Sequence, residues 1–145
     1  MICFDANYLV RCYLDEPGAA EVRALAAAER VACVEWGQAE VAAAFHRKLR
    51  EGVLTPPSFA AAMGQFEADL RTGLFVWLPV TSALVAQVRQ SFAALPSTIF
   101  LRAADAVHLV CAREAGFQEI YTNDRHMLAA APHFGLKGVN VIPER

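Results

Sequence analysis

The sequence predicts an α/β fold, a three-layer α/β/α sandwich around a mostly parallel central sheet. Three observations lead there. Short apolar runs alternate with longer segments of helical period, the pattern of strands joined by crossover helices. Of 145 residues, 56% are hydrophobic and 19% charged, enough to bury a core within one domain spanning 1–145. Aspartates stand directly after two of the apolar runs, where an open parallel sheet binds its ligands.

The elements follow in order. Residues 1–4 form a short apolar run ending at Asp5, as a buried parallel strand does. Residues 6–14 read as a helix stopped by Glu16-Pro17-Gly18, and 19–29 as an amphipathic helix with Val22, Leu25 and Ala26 on one face. A second strand covers 31–34. The helix after it, 36–50, spaces Val41, Ala44, Phe45 and Leu49 helically and closes at Gly52. Thr55 caps a helix to Arg71 that opens on Pro56-Pro57, since proline is tolerated in a first turn. A third strand is expected over 74–80, then a helix capped by Thr81 or Ser82 and running up to Pro96. Residues 97–102 are a loop, 103–115 a strongly apolar helix ended by Gly116, and 119–122 a fourth strand. A short helix at 125–131 and a last strand at 139–142 complete the chain.

Composition excludes several classes. A net charge of −2 and a pI near 6.1 argue against coating nucleic acid by bulk charge. The longest uncharged stretch, 72–88, carries Pro79, Thr81, Ser82 and Gln87 and falls short of the roughly 20 apolar residues of a spanning helix. With Asp5 so early, a signal peptide is not expected, and the chain reads as soluble and cytoplasmic. Cys3, Cys12, Cys33 and Cys111 are scattered without C-x-x-C spacing, so reduced, mostly buried thiols are expected rather than a zinc site.

Four acids need an explanation. Asp5 and Asp124 each follow a strand and precede a helix, so each serves equally as an N-cap or as a site residue. Glu40 sits in the apolar stretch Ala39–Phe45, with Arg47 two turns on along the same face; that face is either solvated or the border of a cleft. Asp105 lies among residues that belong in a core, with Arg102 and His108 three positions away on either side. A buried carboxylate must pair, protonate or bind a metal. Converging carboxylates without a cysteine suit Mg²⁺ or Mn²⁺, and the matching chemistry is phosphodiester hydrolysis.

The order and setting of these acids resemble the PIN-domain ribonucleases, in particular the toxin subunits of VapBC toxin–antitoxin pairs. The matching stretches are Asp5-Ala6-Asn7-Tyr8-Leu9-Val10, Glu40 within Ala39-Glu40-Val41-Ala42, Arg102-Ala103-Ala104-Asp105-Ala106-Val107-His108-Leu109, and Thr122-Asn123-Asp124-Arg125. The resemblance spans essentially the whole chain, and the last two stretches are the specific ones. It departs at Ala6-Asn7, where the family often has a hydroxyl pair, and at Glu35-Trp36-Gly37, where a hydroxyl commonly starts the helix. Glu35 is expected to favour the helix start through the dipole.

By that resemblance Asp5, Glu40, Asp105 and Asp124 form a catalytic, metal-binding quartet, with Asp5 the central ligand. Asn7 and Thr122 are similar to the donors that hold carboxylate rotamers in such sites. The implied reaction is in-line attack of water, activated by Mg²⁺ or Mn²⁺, on an RNA phosphodiester, leaving 5′-phosphate and 3′-hydroxyl ends. The resemblance also implies a cognate antitoxin that seats in a groove and a homodimer. An alternative is a catalytically silent PIN-like module that only binds other proteins.

Grip on RNA must come from local charge. Eleven of the 13 basic residues are Arg, whose planar fork suits phosphate. The densest basic run is His46-Arg47-Lys48-Leu49-Arg50. Arg47 and Arg102, sharing faces with Glu40 and Asp105, are expected at the cleft rim; His108 and His126 are expected to support packing or hydrogen bonding. A receiver-like phosphoacceptor is disfavoured because Asp5 has no acidic neighbour, and an Asp-x-Asp phosphatase because position 7 is Asn.

Overall fold

In the computed structural model of the protein, residues 1–144 are described. The strands are β1 (Ile2–Cys3), β2 (Val31–Val34), β3 (Val76–Leu78), β4 (Glu119–Tyr121) and β5 (Lys137–Val139). The helices are α1 (Ala6–Tyr13), α2 (Ala19–Ala28), α3 (Gly37–Arg50), α4 (Pro56–Thr72), α5 (Ser82–Ala94), α6 (Ala103–Glu114) and α7 (Arg125–Ala130). A 3₁₀ turn, Ala131–Phe134, extends α7.

Every strand pair is parallel. β1, β2 and β3 form one ladder in that order, and β4 pairs with β5. A bridge between Phe4 and Tyr121, with the Asp5 N–H donating to the Tyr121 carbonyl at 3.1 Å, joins the two. The strand order is therefore 3-2-1-4-5, and the direction of winding reverses at β1. That reversal opens a crevice at the carboxyl end of β1, the usual ligand position in an open parallel sheet. Asp5 sits there.

Right-handed crossovers put the helices between β1 and β3 on one face and those after β3 on the other. Accordingly α1 packs on α2 and α3, and α3 on α4, while α6 packs on α5 and α7. All four residues of β2 are buried, which explains why that strand reads as an unbroken apolar run. Phe4, Tyr8, Phe45 and Phe66 are fully buried, and Tyr13, Phe45 and Phe66 meet edge-to-face at 5.3–6.2 Å between centroids. Cys3, Cys33 and Cys111 are buried and Cys12 is partly so; all four are free thiols.

Two expectations need correction. The last strand runs over Lys137–Val139 and not 139–142. Asn140 leaves the ladder because its Oδ1 accepts the Tyr8 hydroxyl at 2.9 Å, while the Val141 N–H donates to that hydroxyl at 2.9 Å. The apolar pair Val141 and Ile142 thus packs on the core from outside the sheet. Glu35 does not act at the helix start. Its Oε1 accepts the Val80 N–H at 2.8 Å and its own N–H donates to the Leu78 carbonyl at 2.7 Å, so it ties the end of β2 to the end of β3. Among the described residues no helix is long and apolar enough to cross a membrane.

Candidate active site

Asp5 caps α1: its Oδ1 accepts the Tyr8 N–H at 2.9 Å. Its Oδ2 accepts the Thr122 hydroxyl at 2.5 Å, and the Thr122 oxygen in turn accepts the Asp124 N–H at 3.0 Å. One buried hydroxyl therefore fixes the two strand-end acids relative to each other. Burial pushes the Asp5 carboxyl up to about 6; the Thr122 bond and the His108 charge oppose that rise, and the Glu40 charge adds to it. Asp124 caps α7, its Oδ1 accepting the N–H groups of His126 at 2.7 Å and Met127 at 3.0 Å. Capping and membership of an acidic site are thus compatible for both aspartates.

Glu40 arrives from α3. The helix starts close against β2 because Gly37 has no side chain: a Cβ there would stand 2.6 Å from the Cys33 sulfur. One turn later the Glu40 Oε1 lies 2.6 Å from the Nε2 of His108, a buried residue of α6. Burial pulls the His108 imidazole down, but the hydrogen bond and charge of Glu40, with Asp5 and Asp105 behind it, hold it above its ordinary value. His108 thereby ties the helix on one face of the sheet to the helix on the other.

Asp105 is half-buried on the first turn of α6. No ion pair with Arg102 forms within 4.0 Å among the described residues, and its carboxyl makes no hydrogen bond there. Burial raises its carboxyl above the usual range, and the Asp124 and Glu40 charges raise it further against the pull of His108 and Arg102.

These residues enclose a cavity of about 510 Å³. Glu40, Asp105 and Asp124 line it together with Asn7, Arg47, Arg50 and Arg102. Asp5 itself is buried, and its chain neighbour Ala6 lines the wall. Asn7 faces the cavity without bonding to a carboxylate among the described residues; its carbonyl accepts from Arg11 at 3.0 Å. Arg47 reaches Glu51 at 3.9 Å on an exposed helix face. Arg50 is a lining residue that sequence reasoning did not single out, although it falls one turn beyond Arg47 on the same face.

The donor set is carboxylate oxygen only, which suits a hard divalent cation. The Asp105 carboxyl is raised by burial and, beyond that, by the Asp124 and Glu40 charges, which marks a place where a cation would relieve repulsion. In their present rotamers no three His, Cys, Asp or Glu side chains among the described residues converge closely enough to form a ready-made ion cage. The residues fit such an ion in donor type and charge.

Residues 2–132 match the PIN domain family. Solved structures share the fold at low identity. VapC20 of Mycobacterium tuberculosis, described as a sarcin-ricin loop cleaving toxin, superposes with a TM-score of 0.70 at 19% identity, covering 99% of this chain and 100% of that one. FitAcB of Neisseria gonorrhoeae gives 0.71 at 18% identity with 97% of each chain covered. FitAB bound to a DNA fragment gives 0.68 at 17% identity, over 97% of this chain and 94% of the other. No curated protein sequence matches significantly.

Proposed function

The chain belongs to the PIN-domain family, and we propose that it is a metal-dependent endoribonuclease, the toxin of a toxin–antitoxin pair. The observation that carries this reading is the cavity itself: three carboxylates and three arginines open onto it beside a buried fourth acid. Acids alone would repel a phosphodiester. Arginines alone would bind RNA without cutting it. The combination is what hydrolysis of a polyanion needs.

Asp5, Glu40, Asp105 and Asp124 would hold Mg²⁺ or Mn²⁺, which supplies activation of water and neutralisation of charge at the phosphodiester. Thr122 fixes the Asp5 carboxylate and the Asp124 backbone, and His108 fixes Glu40. Arg47, Arg50 and Arg102 orient the RNA backbone through its phosphates. Asn7, open to the cavity, is placed to donate a hydrogen bond to substrate or water. Water, not the ribose 2′-hydroxyl, would attack phosphorus while the P–O3′ bond breaks and the 3′ oxygen leaves with a proton, so the products carry 5′-phosphate and 3′-hydroxyl ends.

The Mycobacterium tuberculosis protein of the same fold is described as a toxin, and on that likeness the proposed partner is a cognate antitoxin, met in the cytoplasm by a homodimeric toxin. A second cavity of about 600 Å³, walled by Ala26, Ala27, Ala28 and Leu74 together with Arg23, Glu29, Arg30 and Asp69, involves none of the acidic quartet. The test is cleavage of RNA by purified wild type and Asp5→Asn with Mg²⁺ or Mn²⁺. Wild type should cut and the variant should lose at least a hundredfold in rate; equal activity in the two would sink the nuclease reading and favour a silent binding module.

A further inference from the structure

An aromatic ledge adjoins the acidic cavity. Phe100 lies in the loop before α6, two residues ahead of Arg102, and His126 lies in α7, two residues beyond Asp124. Arg102 and Asp124 both line the cavity, so each of these two segments carries a ring two residues from a lining side chain. The rings meet at 4.6 Å between centroids, tilted by 60°. Phe100 is nevertheless 57% exposed, so its contact with His126 covers only part of it. The His126 backbone N–H is bonded to Asp124 Oδ1, which fixes this ring's start relative to the acid. Exposed Arg102 follows Phe100 by two residues, and exposed Arg125 directly precedes His126.

A lone exposed phenylalanine needs no explanation. One that is braced against a second ring, with exposed arginines one or two residues away in both segments and cavity-lining residues two positions from each ring, has the parts of a platform for an unpaired base. Unstacked bases present π-faces of any sequence, and arginines beside the ring take the adjoining phosphates. A duplex keeps its bases stacked internally and offers no such face. Resting on the nuclease reading above, we propose that Phe100, braced by His126, stacks on an unpaired RNA base next to the phosphate held in the cavity. The ledge thus selects single-stranded RNA or a loop and fixes where along it the cut falls.

The experiment uses the whole chain carrying Asp105→Asn, so that RNA is held uncut; the Asp105 carboxylate makes no hydrogen bond that the amide would break. Binding of a fluorescein-labelled 12-nucleotide single-stranded RNA and of a 12-base-pair RNA duplex is read by anisotropy with Mg²⁺ present. Phe100→Ala should weaken the single strand about tenfold, as loss of one stacked base does, and leave duplex binding unchanged. Phe100→Trp should restore the affinity. Replacing bases one at a time by abasic sites should abolish the Phe100→Ala penalty at one position only. Wild-type affinity in Phe100→Ala, an equal loss for single strand and duplex, or a penalty that survives every abasic replacement would each overturn the ledge. So would loss of a co-purifying protein partner with RNA binding intact. Absence of RNA binding and cleavage in the otherwise wild-type chain would instead sink the nuclease reading, and the two failures are separate readouts.

Discussion

Replacing His108 by Phe removes one donor from the centre of the site while keeping a ring in the core. The His108 Nε2 to Glu40 Oε1 distance is 2.6 Å, with the side chains 2% and 27% exposed. A hydrogen bond to a charged acceptor at this depth contributes about 1.5–3 kcal/mol. Packing is largely conserved in His108→Phe, and Glu40 can turn to water, so no further cost is expected for a stranded charge. At about 2–4 °C per kcal/mol for a chain of this size, the melting temperature should fall by about 3–12 °C. The bond itself is isolated by a double-mutant cycle of His108→Phe and Glu40→Ala, with urea unfolding followed in EDTA to exclude bound cations. The account expects a coupling of about 1.5 kcal/mol or more. Additive effects, with a coupling inside the ~0.5 kcal/mol seen for independent sites, would refute the claim that this pair joins the two helical layers.

Further outcomes follow from other contacts. Gly37→Ala places a Cβ 2.6 Å from the Cys33 sulfur, and should cost about 1–3 kcal/mol in urea unfolding by forcing α3 off β2. Thr122→Val removes the donor to the Asp5 carboxylate, and should lower Mn²⁺ affinity about 10–100-fold by titration followed by electron paramagnetic resonance. Burial raises the Cys12 and Cys111 thiols from 9.0 to about 11, so the folded chain keeps protons that the unfolded chain has lost. Their contribution is complete below pH 9 and disappears as pH rises toward 11; the urea midpoint should fall over that window, less steeply in Cys12→Ala. At pH 8 the same thiols should resist iodoacetamide until the protein is unfolded.

Much of the site was legible because its acids interrupt apolar sequence. Asp5 and Asp124 mark strand ends, and strand ends in a parallel sheet are where its crevice lies. Asp105 stood out because α6 is otherwise a core helix, with Ala106, Leu109 and Val110 buried around it. What stayed hidden is long-range. Periodicity placed His108 as a packing or hydrogen-bonding residue, but its partner Glu40 is 68 positions away and on another helix. The role of Glu35 was hidden for the same reason: its acceptor oxygen meets an N–H 45 residues on, beyond the end of β3. The shift of β5 reflects a competition that hydropathy does not register. Lys137 and Gly138 look unlike a strand, yet Gly138 is held there by the close approach of the Leu128 Cα, 3.2 Å from where a Cβ would stand, and Asn140 is drawn away by Tyr8.

The chemistry of the cut ends tests the central claim most directly. RNA incubated with the purified protein and Mn²⁺ can be ligated to adaptors selective for each kind of terminus. Metal-dependent hydrolysis by water gives 5′-phosphate and 3′-hydroxyl ends that vanish with EDTA and are regained on adding Mn²⁺ back. Ends bearing 2′,3′-cyclic phosphate, produced equally in EDTA and in Asp5→Asn, would contradict it.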